Sequence, residues 1–141
     1  EKFWKANPWT QRYLGGYQGI EPRAVGWLSG SFFLVSRKAF EEVGGFDEGY
    51  FMFFEDVDLC FRLKQAGYRS VYVPAASITH LGAHSTSAHM RSMVIAHHKS
   101  AEKFLSKLYA GPLYAPLRAV LRAGLRVRAR LASSAFTKDK N

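Results

Sequence analysis

Residues Gly44 to Cys60 read GGFDEGYFMFFEDVDLC, an aromatic run that ends abruptly in the carboxylates Glu55, Asp56 and Asp58. No other stretch restricts the fold as much. Gly44-Gly45 is the usual signal that stops a helix. Acids belong in the first turn of the next one, where free N–H groups and a partial positive charge receive them. The chain must therefore leave one helix, cross a ring-rich turn and enter a second helix whose N-terminus is acidic. Rings exclude water from that entrance, and an ionised acid in an apolar cleft is how a general base facing a bound hydroxyl is built. The same acids also serve as ordinary caps and dipole partners, so their neighbours must decide between the two roles.

Upstream, residues 1–26 carry Trp4, Trp9, Tyr13, Tyr17 and several Gly and Pro without periodicity, and read as an irregular arm. Trp27 to Arg37 (WLSGSFFLVSR) has a continuous apolar centre and reads as a strand buried on both faces. Arg37 to Val43 reads as a short helix with Phe40 and Val43 inward. The acidic helix runs from about Glu55 to Ala66, buries Leu59, Leu63 and Ala66, and can pair Asp58 with Arg62 at i,i+4. Arg69 to Val73 and Ser77 to His80 read as two further strands, the first stopped by Pro74. Helix, glycine turn and strand in succession are the grammar of an α/β fold. A long helix is expected from about Ser87 to Tyr109, with His97 inward and His98 outward, ended by Gly111-Pro112.

Charge separates the last segment from the rest. Residues 111–141 hold seven Lys/Arg against Asp139, whereas residues 1–110 hold thirteen basic and ten acidic residues, so most of the net +9 sits in the tail. Leu113 to Leu131 has helical spacing, with Arg118, Arg122, Arg126 and Arg130 within an arc roughly 120° wide. Leu113, Leu117, Val120, Val127 and Leu131 gather opposite, and Arg128 breaks the pattern. A basic amphipathic helix poor in acids predicts contact with an anionic membrane surface; the plain alternative is a helix packed on its own domain. Nucleic-acid binding is the rival use of such a tail. It is disfavoured because the ring-rich stretches are not interleaved with Lys/Arg.

Other chemistry is sparse. Cys60 is the only cysteine, which excludes an internal disulfide and suits a small core residue in a reducing compartment. No apolar run approaches the roughly 20 residues of a membrane span. No GxxxxGK[ST] or GxGxxG loop is present. His80 and His84 flank a strand end and a loop, where an imidazole can ligate a divalent metal, although a lone histidine is more often structural.

The ordered phrases Trp27–Arg37, Phe40 to Glu48, Phe54 to Arg62, Ala66-Gly67-Tyr68, Val71 to Pro74 and His80 to Ser85 together resemble the C-terminal half of family 2 glycosyltransferases. The similarity is to bacterial rhamnosyltransferases and related cell-wall polysaccharide enzymes, across about residues 26–86. It implies an α/β fold, the C-terminal part of a GT-A mixed sheet with helices, over residues 1–110, followed by the basic helical tail at 111–141. It implies an inverting transfer of a sugar such as rhamnose from a nucleotide-diphosphate donor to a glycan or polyprenyl-linked acceptor. In that scheme Asp56 is the general base and Glu55 contacts the acceptor. Trp27, Ser29 and Gly30 line the sugar site, and His80 is one ligand of a divalent ion, Mg2+ or Mn2+. The family's nucleotide-binding half, with its Asp-x-Asp motif, does not appear in this sequence. The expectation is thus a fragment inactive alone, from a cytoplasmic protein peripheral to the plasma membrane. A non-catalytic basic module is the alternative.

Overall fold

The computed structural model describes residues 20–80 and 90–138, with side chains as far as Ser134. In chain order these are β1 (Arg23–Val25), α1 (Arg37–Glu42), α2 (Glu55–Gln65), β2 (Ser70–Tyr72), α3 (Met90–Leu108), a 3-10 turn (Pro112–Tyr114) and α4 (Ala115–Lys138). The described fold mixes helix and strand but is mostly helical. Its sheet is one antiparallel pair, β1 with β2, in the register Arg23 to Tyr72, Ala24 to Val71 and Val25 to Ser70. The Arg23 guanidinium lies over the Tyr72 ring at 5.0 Å, a cation–π contact across that pair.

The helix expectations hold closely. Helix α1 ends at Val43, where the next two residues, Gly44 and Gly45, take φ of 76° and 68°. That left-handed pair lets the Gly45 N–H reach back to the Phe40 carbonyl, 2.8 Å, and turns the chain toward the aromatic run. Leu59 and Leu63 of α2 bury against Ala39 of α1, with Phe33, Phe40, Val43 and Tyr68 packed around them. Phe46 closes this small core edge-on to Phe33 and Phe40. Ala66, expected inward, is exposed because α2 already ends at Gln65.

Two strand expectations fail. Trp27–Ser36 is irregular, with a turn at Gly30-Ser31 that brings the Phe32 N–H to the Ser29 carbonyl. Ser77–His80 is likewise extended chain without strand pairing. The apolar centre of the first segment is not buried on both faces: Leu34 is 89% exposed, and Phe32 and Val35 are also open. A strand needs a neighbour to receive its N–H and C=O groups. Among the described residues none lies beside this segment, and the Leu28 and Gly30 N–H groups are given instead to side chains of α2.

The tail is helical as expected, and it folds back on α3 as a hairpin. Glu102 of α3 meets Arg122 at 2.7 Å and Arg126 at 3.4 Å. Arg118 donates to the carbonyls of Tyr109 and Gly111, satisfying acceptors at the end of α3. Within α3 the histidine expectation holds only in part, since His97 turns its ring to Phe53 and Phe54 but is the more exposed of the two. His98 is the more covered, its Nδ1 2.8 Å from the Val94 carbonyl, while His97 sits at the exposed edge of the helix.

Candidate functional site

The site is built where Trp27–Ser31 crosses the N-terminus of α2. The crossing is held by backbone donors. Leu28 N–H points to Cys60 Sγ at 3.5 Å, and Gly30 N–H donates to Asp56 Oδ2 at 2.7 Å. Ser29 and Ser31 hydroxyls lie 3.0 Å apart on the same turn. Gly30 thus approaches the Asp56 carboxylate closely; even a methyl group there would sit 3.5 Å from Oδ2. Residues 26 positions apart in sequence are thus brought together.

The turn into α2 is unusual. Phe53 and Phe54 both adopt φ of 66°, a left-handed conformation rarely taken by bulky residues. Phe54 occupies the cap position and offers no side-chain acceptor. Asp56 Oδ1 accepts instead from the Val57 N–H at 2.7 Å, so part of its role is the ordinary one of serving a helix N-terminus. A carboxylate offers about four lone-pair sites. Two are used by Val57 and Gly30, which fix the group's orientation and leave acceptor capacity on both oxygens. Beside it, Glu55 Oε2 is buried with no hydrogen-bond partner among the described residues. A buried carboxylate oxygen without a donor is costly.

Asp58 serves another purpose. It has no exposed surface. Arg62 Nε binds its Oδ2 at 2.7 Å, while Tyr50 hydroxyl and Lys107 Nζ donate to Oδ1 at 3.2 and 2.5 Å. Lys107 also reaches Asp47 Oδ2 at 2.6 Å, and Lys103 holds Asp47 Oδ1 at 2.8 Å. Lys103, then Lys107 and the Gly49 N–H, hold the Asp47 carboxyl far below the usual carboxylate range. Burial opposes the charge on Lys107, yet its two carboxylate partners outweigh this and raise its pKa. Burial, then the Asp58 charge, raises that of Tyr50. Gly49 is small for a reason: a side chain there would collide with the Lys103 ammonium. The sequence revealed the Asp58–Arg62 pair but not the α3 lysines, which lie 45 or more positions from Asp58 and belong to no local motif.

Helix α3 also supports the turn itself. Ser100 hydroxyl donates to the Met52 carbonyl at 2.7 Å, and the His97 ring stands edge-on to Phe53 and Phe54 at 5.3 and 5.4 Å. Partial desolvation by those rings, then the neighbouring His98, lowers the His97 pKa.

Trp27 and Ser29 line an apolar cavity of about 410 Å3 together with Phe33, Leu34, Val71 and Ile78. It opens on the flank of the segment that carries Gly30. A larger recess, about 720 Å3, lies between α3 and α4 and contains none of the expected site residues. His80 is exposed at the end of the first described segment. His84 lies outside the described residues, as does most of the loop after His80. Among the described residues no three His, Cys, Asp or Glu side chains converge as a metal site. The described donors therefore do not fit a divalent ion by themselves.

Residues 19–95 match the family model described as glycosyltransferase like family 2, and the chain belongs to that family. It is 53% identical over 131 residues to an N-acetylglucosaminyl-diphospho-decaprenol L-rhamnosyltransferase of Mycobacterium tuberculosis (strain H37Rv), covering 92% of this chain and 42% of that protein. It is also 43% identical over 83 residues to rhamnosyltransferase WbbL of Escherichia coli (strain K12), covering 59% of this chain and 31% of that protein. The chain thus spans less than half the length of these curated relatives. No solved structure matches it.

Proposed function

We propose that this chain is the acceptor-side part of an inverting glycosyltransferase that moves a sugar, rhamnose in the first instance, from a nucleotide-diphosphate donor to a lipid-linked glycan acceptor in cell-envelope synthesis. The observation that carries the reading is the Asp56 carboxylate, pinned by the Gly30 and Val57 N–H groups with acceptor capacity to spare. An acceptor hydroxyl donating to Asp56 is oriented for attack on the anomeric carbon. As the new C–O bond forms, its proton passes to Asp56, and the bond to the diphosphate breaks on the opposite face. The unpartnered Glu55 Oε2 takes a second hydroxyl of the acceptor. Trp27, Ser29 and Gly30 shape the sugar-binding wall. The names of the relatives support the donor and acceptor classes: one is a rhamnosyltransferase whose name specifies a diphospho-decaprenol-linked sugar.

The nucleotide belongs, in this reading, to the part of the relatives' length that this chain does not span. His80 is at most one ligand of a divalent ion whose other ligands lie elsewhere; the ion would neutralise the departing diphosphate. If His80→Ala leaves the metal dependence of transfer unchanged, that assignment falls. A lipid-linked acceptor is consistent with work at the cytoplasmic membrane face; among the described residues no helix is long and apolar enough to cross a bilayer.

The decisive experiment uses a protein of the relatives' full length carrying this chain. Asp56→Asn is expected to lower kcat by roughly 10²–10⁴ while leaving donor binding intact, as for loss of a general base. Transfer at near wild-type rate would reject Asp56 as the base. The alternative, a basic module binding nucleic acid through the tail, finds little support. Arg118, Arg122 and Arg126 are already engaged with carbonyls and Glu102.

A further inference from the structure

The hairpin of α3 and α4 divides the tail's side chains in a way that sequence periodicity does not. Leu121, Leu125 and Ala129 turn toward α3, as do the engaged Arg118, Arg122 and Arg126. The other face is bare. Leu113, Leu117, Val120, Val127 and Leu131 range from 40% exposed at Leu117 to 88% at Leu113. With Gly124 they follow one another at steps of three and four residues, a stripe within roughly 80° of helix circumference. Among the described elements, α4 makes its main contacts with α3 and the 3-10 turn, so the stripe has no cover there. Arg128 and Arg130 flank the stripe on either side and have no ion-pair partner among the described residues. Helix α4 carries no Asp or Glu along its length.

From this we infer that α4 and the turn before it dock on an anionic lipid bilayer by inserting the Leu113–Leu131 stripe, with Arg128 and Arg130, not Arg118, Arg122 and Arg126, meeting the lipid phosphates. The inference deepens the membrane-side placement proposed above by naming the face and the mode. Charge decides the occupant. A second copy seated on the stripe would bring Arg128 and Arg130 against the same cations, with no acid on either helix to answer them. An anionic bilayer takes the apolar stripe and answers both arginines. The mode differs from a polybasic tether, because three of the five arginines are spent inside the protein.

Sedimentation of the full chain with mixed phosphatidylglycerol/phosphatidylethanolamine vesicles tests this without any sugar transfer. It is thus independent of the transferase reading, whose failure shows instead in the Asp56→Asn assay. Val120→Asn with Val127→Asn is expected to reduce binding at least about tenfold; both sites are exposed, so circular dichroism should confirm an unchanged fold. Arg128→Gln with Arg130→Gln should lose roughly fivefold per arginine and most of the salt dependence. Arg122→Gln should change binding less than about twofold. A fluorophore on Val120→Cys should shift to the blue with vesicles, and one on Arg122→Cys should not. The inference is overturned if the stripe variants bind vesicles as the parent does, or if Arg122→Gln abolishes binding. It is also overturned if the parent chain is a dimer in solution that the Val120 and Val127 changes make monomeric.

Discussion

Asp58 shows what a single residue in the acidic cluster does. Glu55 and Asp56 before it are half-buried, whereas it is fully buried and answered by Arg62, Lys107 and Tyr50. A buried charge is tolerated when its partners are in place, and removing one side of such a pair is far more damaging than the pair's net worth. Asp58→Asn is therefore expected to destabilise the chain by about 3 kcal/mol in urea unfolding. Tyr50→Phe, which removes one neutral donor, should cost only about 1 kcal/mol. Equal losses for the two would mean that the ion pairs contribute nothing beyond the hydroxyl. At this scale the sequence was partly legible. Asp58 and Arg62 are one helical turn apart, so their pairing follows from helix geometry alone. Lys107 could not be inferred, since its approach depends on how α3 lies across α2. Nor could the Glu55 vacancy, since burial without a partner has no local signature.

Helix α3 is the element that braces the turn into α2 in its left-handed shape. Lys103 and Lys107 grip Asp47 before the aromatic run, Ser100 holds Met52 within it, and His97 stands against Phe53 and Phe54 at its end. The Asp47 grip has a definite pH dependence. Its folded pKa lies below the unfolded value of about 3.9, so its stabilisation is fully present above that value and is lost as pH falls through the folded pKa. Lys107, raised in the fold by the Asp47 and Asp58 carboxylates, keeps its share below about pH 10.4 as long as those carboxylates stay ionised. Asp47→Asn should then lower the stability at pH 7, measured by urea unfolding, by on the order of 1 kcal/mol, discounted for partial exposure. The difference from the parent should shrink steadily below about pH 4. A gap as large at pH 2 as at pH 7 would show that Asp47 acts through packing and not through its charge. Periodicity did reveal α1, α2, α3 and α4, because a helix makes its hydrogen bonds within itself. It misjudged Trp27–Arg37, because strand status depends on a neighbour that the segment's own residues do not encode. What those residues did encode, Ser-Gly-Ser beside a ring-rich run, is used as a turn that closes on Asp56.

Across the whole molecule, one helix touches both the turn into α2 and the tail. Helix α3 braces the Phe51–Asp56 turn on one side and packs against α4 on the other, so the tail helix and the turn that carries Asp56 are linked through α3. Docking α4 would therefore fix the height and orientation of the base above the lipid surface. For an acceptor carried in the bilayer this raises the local concentration at Asp56; for an acceptor free in water it changes nothing. In a protein of the relatives' full length, the Val120→Asn/Val127→Asn pair is expected to lower kcat/KM about tenfold for a prenyl-linked acceptor presented in anionic vesicles. Transfer to a short-chain, water-soluble acceptor should stay within about twofold. The two acceptors separate the causes. A parallel loss on both would mean that the stripe supports the fold of the site through α3 and not its placement on the membrane. An undiminished rate on both, with vesicle binding abolished, would mean that the acceptor reaches Asp56 without α4. Only the divergent outcome joins the apolar face of the tail to the chemistry at the entrance of α2.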